Sequence, residues 1–170
     1  MKAKFITLEG GEGVGKTTNI LFIKDFLEKN RQPVIITREP GGTEIAEKIR
    51  NLLLENHDEP FSEVTELLLI FAARAQHLKN VIQPALKQGN WVICDRFTDA
   101  SYAYQGSGQG LQDSDIAQLE TLVVGPHQPD CVFIFDLPIA MLMERVKSRI
   151  ADLSGLRRGH VSILLLVKPR

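Results

Sequence analysis

The sequence predicts a three-layer α/β fold built on a parallel sheet, and three observations predict it. Short β-rich apolar runs alternate with longer stretches of helical period, the order that βαβ units produce. The runs are continuously apolar rather than alternating, as strands covered on both faces require. Glycine clusters at Gly10–Gly15, Gly41–Gly42 and Gly106–Gly110 lie where strands end or helices begin, the place where an open α/β sheet gathers its ligands.

Taken in order, strands are expected at about 4–9, 33–38, 91–95 and 131–136. Between the first two, Lys16–Asn30 places Ile20, Ile23, Phe26 and Leu27 inward at helical spacing and ends before Pro33. Thr43 can cap a second helix with Ile45, Ala46, Ile49, Leu52 and Leu53 inward, and Ser62 can cap a long third one. That helix repeats Val64, Leu67, Leu68, Phe71, Ala75, Leu78 and Ile82, with Pro84 kinking or shortening its end. Gly106–Gly110 reads as a loop, Ser114–Val124 as a fourth helix and Pro138–Arg149 as a fifth. Val161–Val167 reads equally as an edge strand or as exposed apolar surface.

Composition suits one hydrophobic core. Of 170 residues, 44% are apolar or aromatic and 24% charged, so disorder and collagen are excluded. The 20 basic and 21 acidic residues give no net field for a polyanion, and no nucleic-acid partner is expected. The ends differ, with 13 basic against 19 acidic residues up to Met143 and 7 against 2 from Glu144 onward. This basic end is either a solvated face or a cationic element that meets phosphates. Cys94 and Cys131 lie in apolar runs without metal-type spacing and read as core residues. Two such cysteines without a leader point to the reducing cytoplasm, and the longest wholly apolar run, Leu67–Ala73, is far short of a membrane span.

Gly10-Gly11-Glu12-Gly13-Val14-Gly15-Lys16-Thr17 has the form G-x4-G-K-[ST] between an apolar strand and a helical pattern. Glycines let successive backbone N–H groups converge on a phosphate at a positive helix N-terminus, where side chains would block the approach. Lys16 offers a point charge to the β/γ-phosphates and Thr17 a hydroxyl to Mg²⁺. Asp95 ends an apolar strand, from which a carboxylate can reach the metal's water shell, although a strand-terminal Asp is often only a turn residue.

The residues that would receive the phosphoryl group lie elsewhere in the chain. Arg38 follows the second strand and Arg96 the third, and two planar donors at one edge suit a second phosphate better than an attacking water. Phe71 and Arg74 share a helix face at i,i+3, so a ring could stack on a base while a guanidinium reaches its edge; periodicity alone favours Phe71 as core. If a helix starts near Thr98, then Ser101, Tyr104 and Gln105 fall on one face, able to read a base and sugar or to form a polar surface.

The phosphate loop, Thr37-Arg-Glu-Pro-Gly-Gly-Thr43, Leu68-Leu-Ile-Phe-Ala-Ala-Arg-Ala-Gln-His77, Asp95-Arg-Phe-Thr-Asp-Ala-Ser101, Ala103-Tyr-Gln-Gly106 and Phe135-Asp136-Leu137 together resemble the bacterial thymidylate kinase family, in order from about Lys4 to Arg149. The resemblance implies a phosphate-loop NTPase fold of the nucleoside monophosphate kinase type, with strand order 2-3-1-4 and a fifth strand left open. It implies transfer of the γ-phosphoryl group from ATP to dTMP with Mg²⁺, giving dTDP, in a cytoplasmic homodimer packed through helices.

By position, Gly10, Gly11, Glu12, Gly13, Val14, Gly15, Lys16, Thr17 and Thr18 would hold ATP, and Thr17 and Asp95 the metal. Arg38 and Arg96 would hold the acceptor phosphate, Phe71 would stack on thymine and Arg74 would donate to its O4. Ser101 and Gln105 would lie near the base, Tyr104 under the sugar and Glu12 at the 3′-OH. Lys16, Asp95, Arg96 and Arg149 are the implied catalytic set, Arg149 because Gly13 stands where some members carry a loop arginine, so a lid arginine would serve instead.

The expected organisation is a kinase-like core over 1–149 and a divergent or truncated lid and C-terminal segment over 150–170, where the family's continuation is not recognisable. Arg145 and Arg149 match the basic run that opens the lid, and Arg157 and Arg158 align with nothing. Reduced stability or activity is the corresponding expectation. The alternatives are a weakly active nucleotide-binding remnant and a kinase for another monophosphate. A regulatory GTPase is disfavoured, because no Asn-Lys-x-Asp-like guanine reader occurs.

Overall fold

The computed structural model describes residues 2–138, 140, 141 and 162–166. Its sheet has five strands: β1 (Phe5–Gly10), β2 (Val34–Arg38), β3 (Trp91–Asp95), β4 (Cys131–Asp136) and β5 (Ser162–Leu166), ordered β2-β3-β1-β4-β5. The first four are parallel and confirm the expected order, whereas β5 adds antiparallel to β4 at the edge. Of the two readings for 161–167, the strand is the one found over Ser162–Leu166.

Helix α1 (Lys16–Lys29) covers one face of the sheet, closing a core of Ile6, Leu8, Val14, Ile20, Leu27, Ile93 and Phe135. On the other side lie α3 (Glu63–His77) and α6 (Asp113–Val123), packed on each other, with α2 (Glu44–Leu54) packed against α3. Thr43 and Ser62 cap α2 and α3 as expected, accepting from Ala46 N and Thr65 N. After α3 the helix widens into a π-helical turn, Leu78–Ile82, and returns to α geometry in α4 (Gln83–Lys87). Pro84, which has no N–H, lies in that first turn, so the kink its sequence position foretold takes this form. Phe5, Leu78, Ile82, Val92, Cys94 and Phe97 pack together beneath it.

Four expectations are corrected. Phe26 is 59% exposed, because it lies about 100° around the helix from Leu27 and outside the inward stripe of Ile20, Ile23 and Leu27. Ile45, Leu52, Val64, Leu68 and Ala75 also face outward, since α2 and α3 are covered on one side only. β2 is the sheet edge and is only partly covered, so continuous apolarity there does not mean burial on both faces. Finally, Gly106–Gly108 is not loop: α5 (Thr98–Ser101) runs on as a π-helical segment, Tyr102–Gly108, held from outside itself by Glu66. Of the expected fifth helix only the start is described, with Ala140 and Met141 helical; the rest of it, with Arg145 and Arg149, and also Arg157 and Arg158 lie outside the described residues.

Candidate active site

Strand register builds the site. Leu8 and Arg38 both pair with Asp95, so the ends of β1, β2 and β3 open onto one rim, with Arg96 the next residue along. β1 ends at Gly10, whose φ of +133° and whose approach to the Phe135 carbonyl leave no room for a Cβ. Gly13 and Gly15 also have positive φ, and Gly15 caps α1, so the loop wraps the N-terminus of that helix. The Lys16 ammonium is drawn inward, donating to Gly10 O and Gly11 O at 2.9 Å each and standing 3.9 Å from Asp95 Oδ1. Burial, and then the neighbouring Arg96, lower its pKa, against the pull of Asp95, Glu9 and Glu12. Glu12, Thr17 and Thr18 are exposed at the mouth of the loop.

Asp95 Oδ1 is buried and has no hydrogen-bond partner. An orphaned hard oxygen beside the loop, with the Thr17 hydroxyl on the first turn of α1, suits Mg²⁺, which takes most of its ligands from phosphate and water. Among the described residues no group of three or more His, Cys, Asp or Glu offers an all-protein cage.

Each arginine of the rim has a partner in the protein. Arg38 Nη2 donates to both carboxylate oxygens of Glu47, at 3.0 and 2.8 Å, and Glu47 also accepts from Gly42 N. Arg96, in the left-handed region at φ 70°, donates to the Tyr104 hydroxyl at 2.8 Å and lies 5.0 Å from that ring's centroid. Arg74 is 2% exposed: Nε donates to Glu39 Oε2 at 2.7 Å, Nη1 to Ser101 Oγ and Nη2 to Phe97 O.

Phe71 and Arg74 do share a face, with the guanidinium carbon 4.5 Å from the ring centroid. Phe71 is equally a core residue, packed with Leu67 and Ile116. Ser101 and Gln105 turn inward together, but Tyr104 is exposed, because the wider π turn carries it off the face that α geometry would share.

Sequence reasoning missed the buried acids. Glu39 Oε1 also meets His77 Nδ1 at 3.0 Å, and His77 Nε2 meets Thr37 Oγ1 at 2.6 Å, so one carboxylate ties the β2 exit to α3. Glu9 accepts from Phe97 N at 2.7 Å and thereby fixes the turn that carries Arg96. Burial, reinforced by Asp99, pushes Glu9 up to about 8 against the Phe97 N–H, Arg96 and Arg74. For Glu9 the signal was its place near a strand end; Glu39 also stood inside the Thr37–Thr43 segment, where Arg38 was the residue read as functional.

Fold and loop together define a phosphate-loop α/β protein with arginines facing the cradle. The family model described as thymidylate kinase matches residues 8–157. The chain is 51% identical to the thymidylate kinase of Teredinibacter turnerae over 99% of its own length and 82% of that protein's. It is 54% identical to that of a Marinomonas species over 88% and 70%. A crystal structure of thymidylate kinase from Ehrlichia chaffeensis superposes with a TM-score of 0.74 at 40% identity, covering 90% of this chain and 87% of that one. This chain belongs to the thymidylate kinase family.

Proposed function

We propose that the chain transfers the γ-phosphoryl group of ATP to dTMP, producing dTDP and ADP, with Mg²⁺. The observation that carries this reading is the register: Asp95 pairs with both Leu8 and Arg38, bringing the phosphate loop, Arg38 and Arg96 to one rim. Phosphoryl transfer asks for in-line placement and cationic stabilisation of the equatorial oxygens rather than for a strong base. Lys16 supplies charge from the donor side, and Arg38 and Arg96 hold the acceptor phosphate. Thr17 and Asp95 are the residues that would hold Mg²⁺, which would supply charge neutralisation at the donor phosphates. Glu12 serves the 3′-OH and Tyr104 the sugar, while Phe71, Arg74, Ser101 and Gln105 form the base end, with Arg74 donating to O4.

The proposed catalytic core is 1–149, its last residue Arg149 contributing lid charge, with 150–170 a distinct C-terminal segment. A homodimer in the cytoplasm completes the reading. In support, no helix among the described residues is long and apolar enough to cross a membrane, and α2 and α3 present apolar side chains outward.

A coupled assay of ADP formation with ATP, Mg²⁺ and a panel of monophosphates tests it. The expected result is dTMP turnover far above dCMP, dGMP and UMP; no turnover, or no preference for dTMP, would overturn the reading.

A further inference from the structure

Thymine and cytosine present opposite hydrogen-bonding patterns at two adjacent positions. Thymine offers an acceptor at O4 and a donor at N3–H; cytosine offers a donor at its exocyclic amine and an acceptor at N3. Arg74 only donates, which suits O4. The neighbouring contact needs an acceptor, and the nearby side chain is an amide, which donates or accepts according to which way it is turned. An unconstrained glutamine would therefore serve either base.

Gln105 is constrained. Its Nε2 donates to Glu66 Oε1 at 2.8 Å, and Gln109 Nε2 donates to the same oxygen at 3.0 Å. A carboxylate only accepts, so turning the Gln105 carbonyl toward Glu66 would set two acceptors against each other. The amide is thereby held with Oε1 directed away from Glu66. One turn earlier, Ser101 is clasped to α3 by Arg74. The continuous helix formed by α5 and the π-helical segment is thus tied to α3 through Ser101 and Gln105, one turn apart. Their partners Arg74 and Glu66 lie two turns apart on α3, which fixes the amide in place as well as in sense.

From this we infer that Glu66 is a positioning residue for base specificity: by fixing the Gln105 amide as an acceptor it selects thymine's N3–H over cytosine's N3. The inference rests on dTMP as the acceptor and on the base end described above. It assigns Glu66 no contact with the nucleotide.

The test is the ratio of kcat/KM for dTMP to that for dCMP, with the KM for ATP and a thermal melt for each variant. Glu66→Gln can turn its own amide to accept or to donate and releases Gln105. It is expected to lower the ratio by about tenfold or more, through loss on dTMP and gain on dCMP, with the KM for ATP unchanged. Glu66→Asp should recover most of the ratio, and Gln109→Ala should leave it alone. If Glu66→Gln does not fold, Glu66→Ala carries the same readout. An unchanged ratio, or equal losses on both substrates, would overturn the inference while leaving the dTMP kinase reading intact. Absence of dTMP turnover in the unsubstituted chain would remove the reading beneath it as well.

Discussion

Among single residues, the buried carboxylates separate by what each has to hold. Glu39 faces Arg74 and His77 with 3% of its side chain exposed, so Glu39→Ala leaves a guanidinium buried without its counter-charge. A loss of about 3–5 kcal/mol in urea unfolding is expected, and a loss below ~1 kcal/mol would show that the pair is not fully desolvated. Glu9 works in the opposite sense, because its neighbourhood favours the protonated form. Between its ordinary 4.5 and about 8 the folded chain keeps a proton that the unfolded chain has released, so stability falls as pH rises across that window and levels off above it. Glu9→Gln keeps a carbonyl for the Phe97 N–H but carries no charge. Its advantage over the unsubstituted protein should therefore grow by a few kcal/mol in urea midpoints between pH 5 and pH 9; a constant difference would contradict the assignment. Lys16 stands apart as a buried cation held by the phosphate-loop carbonyls, for which charge delivery is the proposed role. Lys16→Ala is expected to lower kcat/KM roughly 100- to 1000-fold with little change in the melting temperature of the ligand-free protein.

The secondary-structure elements show what local pattern could and could not convey. β1, the phosphate loop and α1 were legible because every feature that builds them lies within one short stretch: apolar run, glycines, lysine, helical period. Gly10 illustrates how strictly. Gly10→Ala would drive a Cβ into the Phe135 carbonyl, which is held in the sheet, whereas Gly89→Ala meets nothing within 4 Å although its φ is +86°. The second should cost about 1–2 kcal/mol, the price of the left-handed backbone alone; the first should cost more and should also abolish the thermal shift given by ATP. Equal losses would mean that β1 and β4 part easily at that point. Less legible were the features whose partners are remote in sequence. Glu39 finds Arg74 and His77 at separations of 35 and 38 residues, and Gln105 finds Glu66 at 39, so no spacing rule could pair them. The glycines at 106 and 108 suggested a loop because glycine usually breaks helices, yet anchoring by Glu66 keeps the segment wound. Periodicity gave each helix an apolar stripe but not the neighbour that covers it, which is why Val64 and Leu68 were expected inside and stand outside.

For the molecule as a whole, those outward residues bear on assembly. Val64 and Leu68 on α3 are each more than half exposed, and the exposed Ala72 and Ala75 continue the same side of the helix at spacings of four and three. Ile45 and Leu52, seven apart on α2, stand outward on the helix packed against α3. Bulky side chains at one end of the stripe and alanines at the other allow a second helix to lie close along it, and a twofold pairing would bury the same residues on both copies. The exposed side of α1 is less suitable, because Asp25 and Lys29 interrupt Leu21, Phe22 and Phe26. Leu68→Glu should therefore convert the proposed dimer to monomer in sedimentation equilibrium at micromolar concentration, and Phe22→Glu should not. Because α3 also carries Phe71 and Arg74 on its inner side, freeing its outer side should raise the KM for dTMP more than that for ATP. A Leu68→Glu protein that stays dimeric, or dissociates with both constants unchanged, would place the contact on another face or uncouple it from the site.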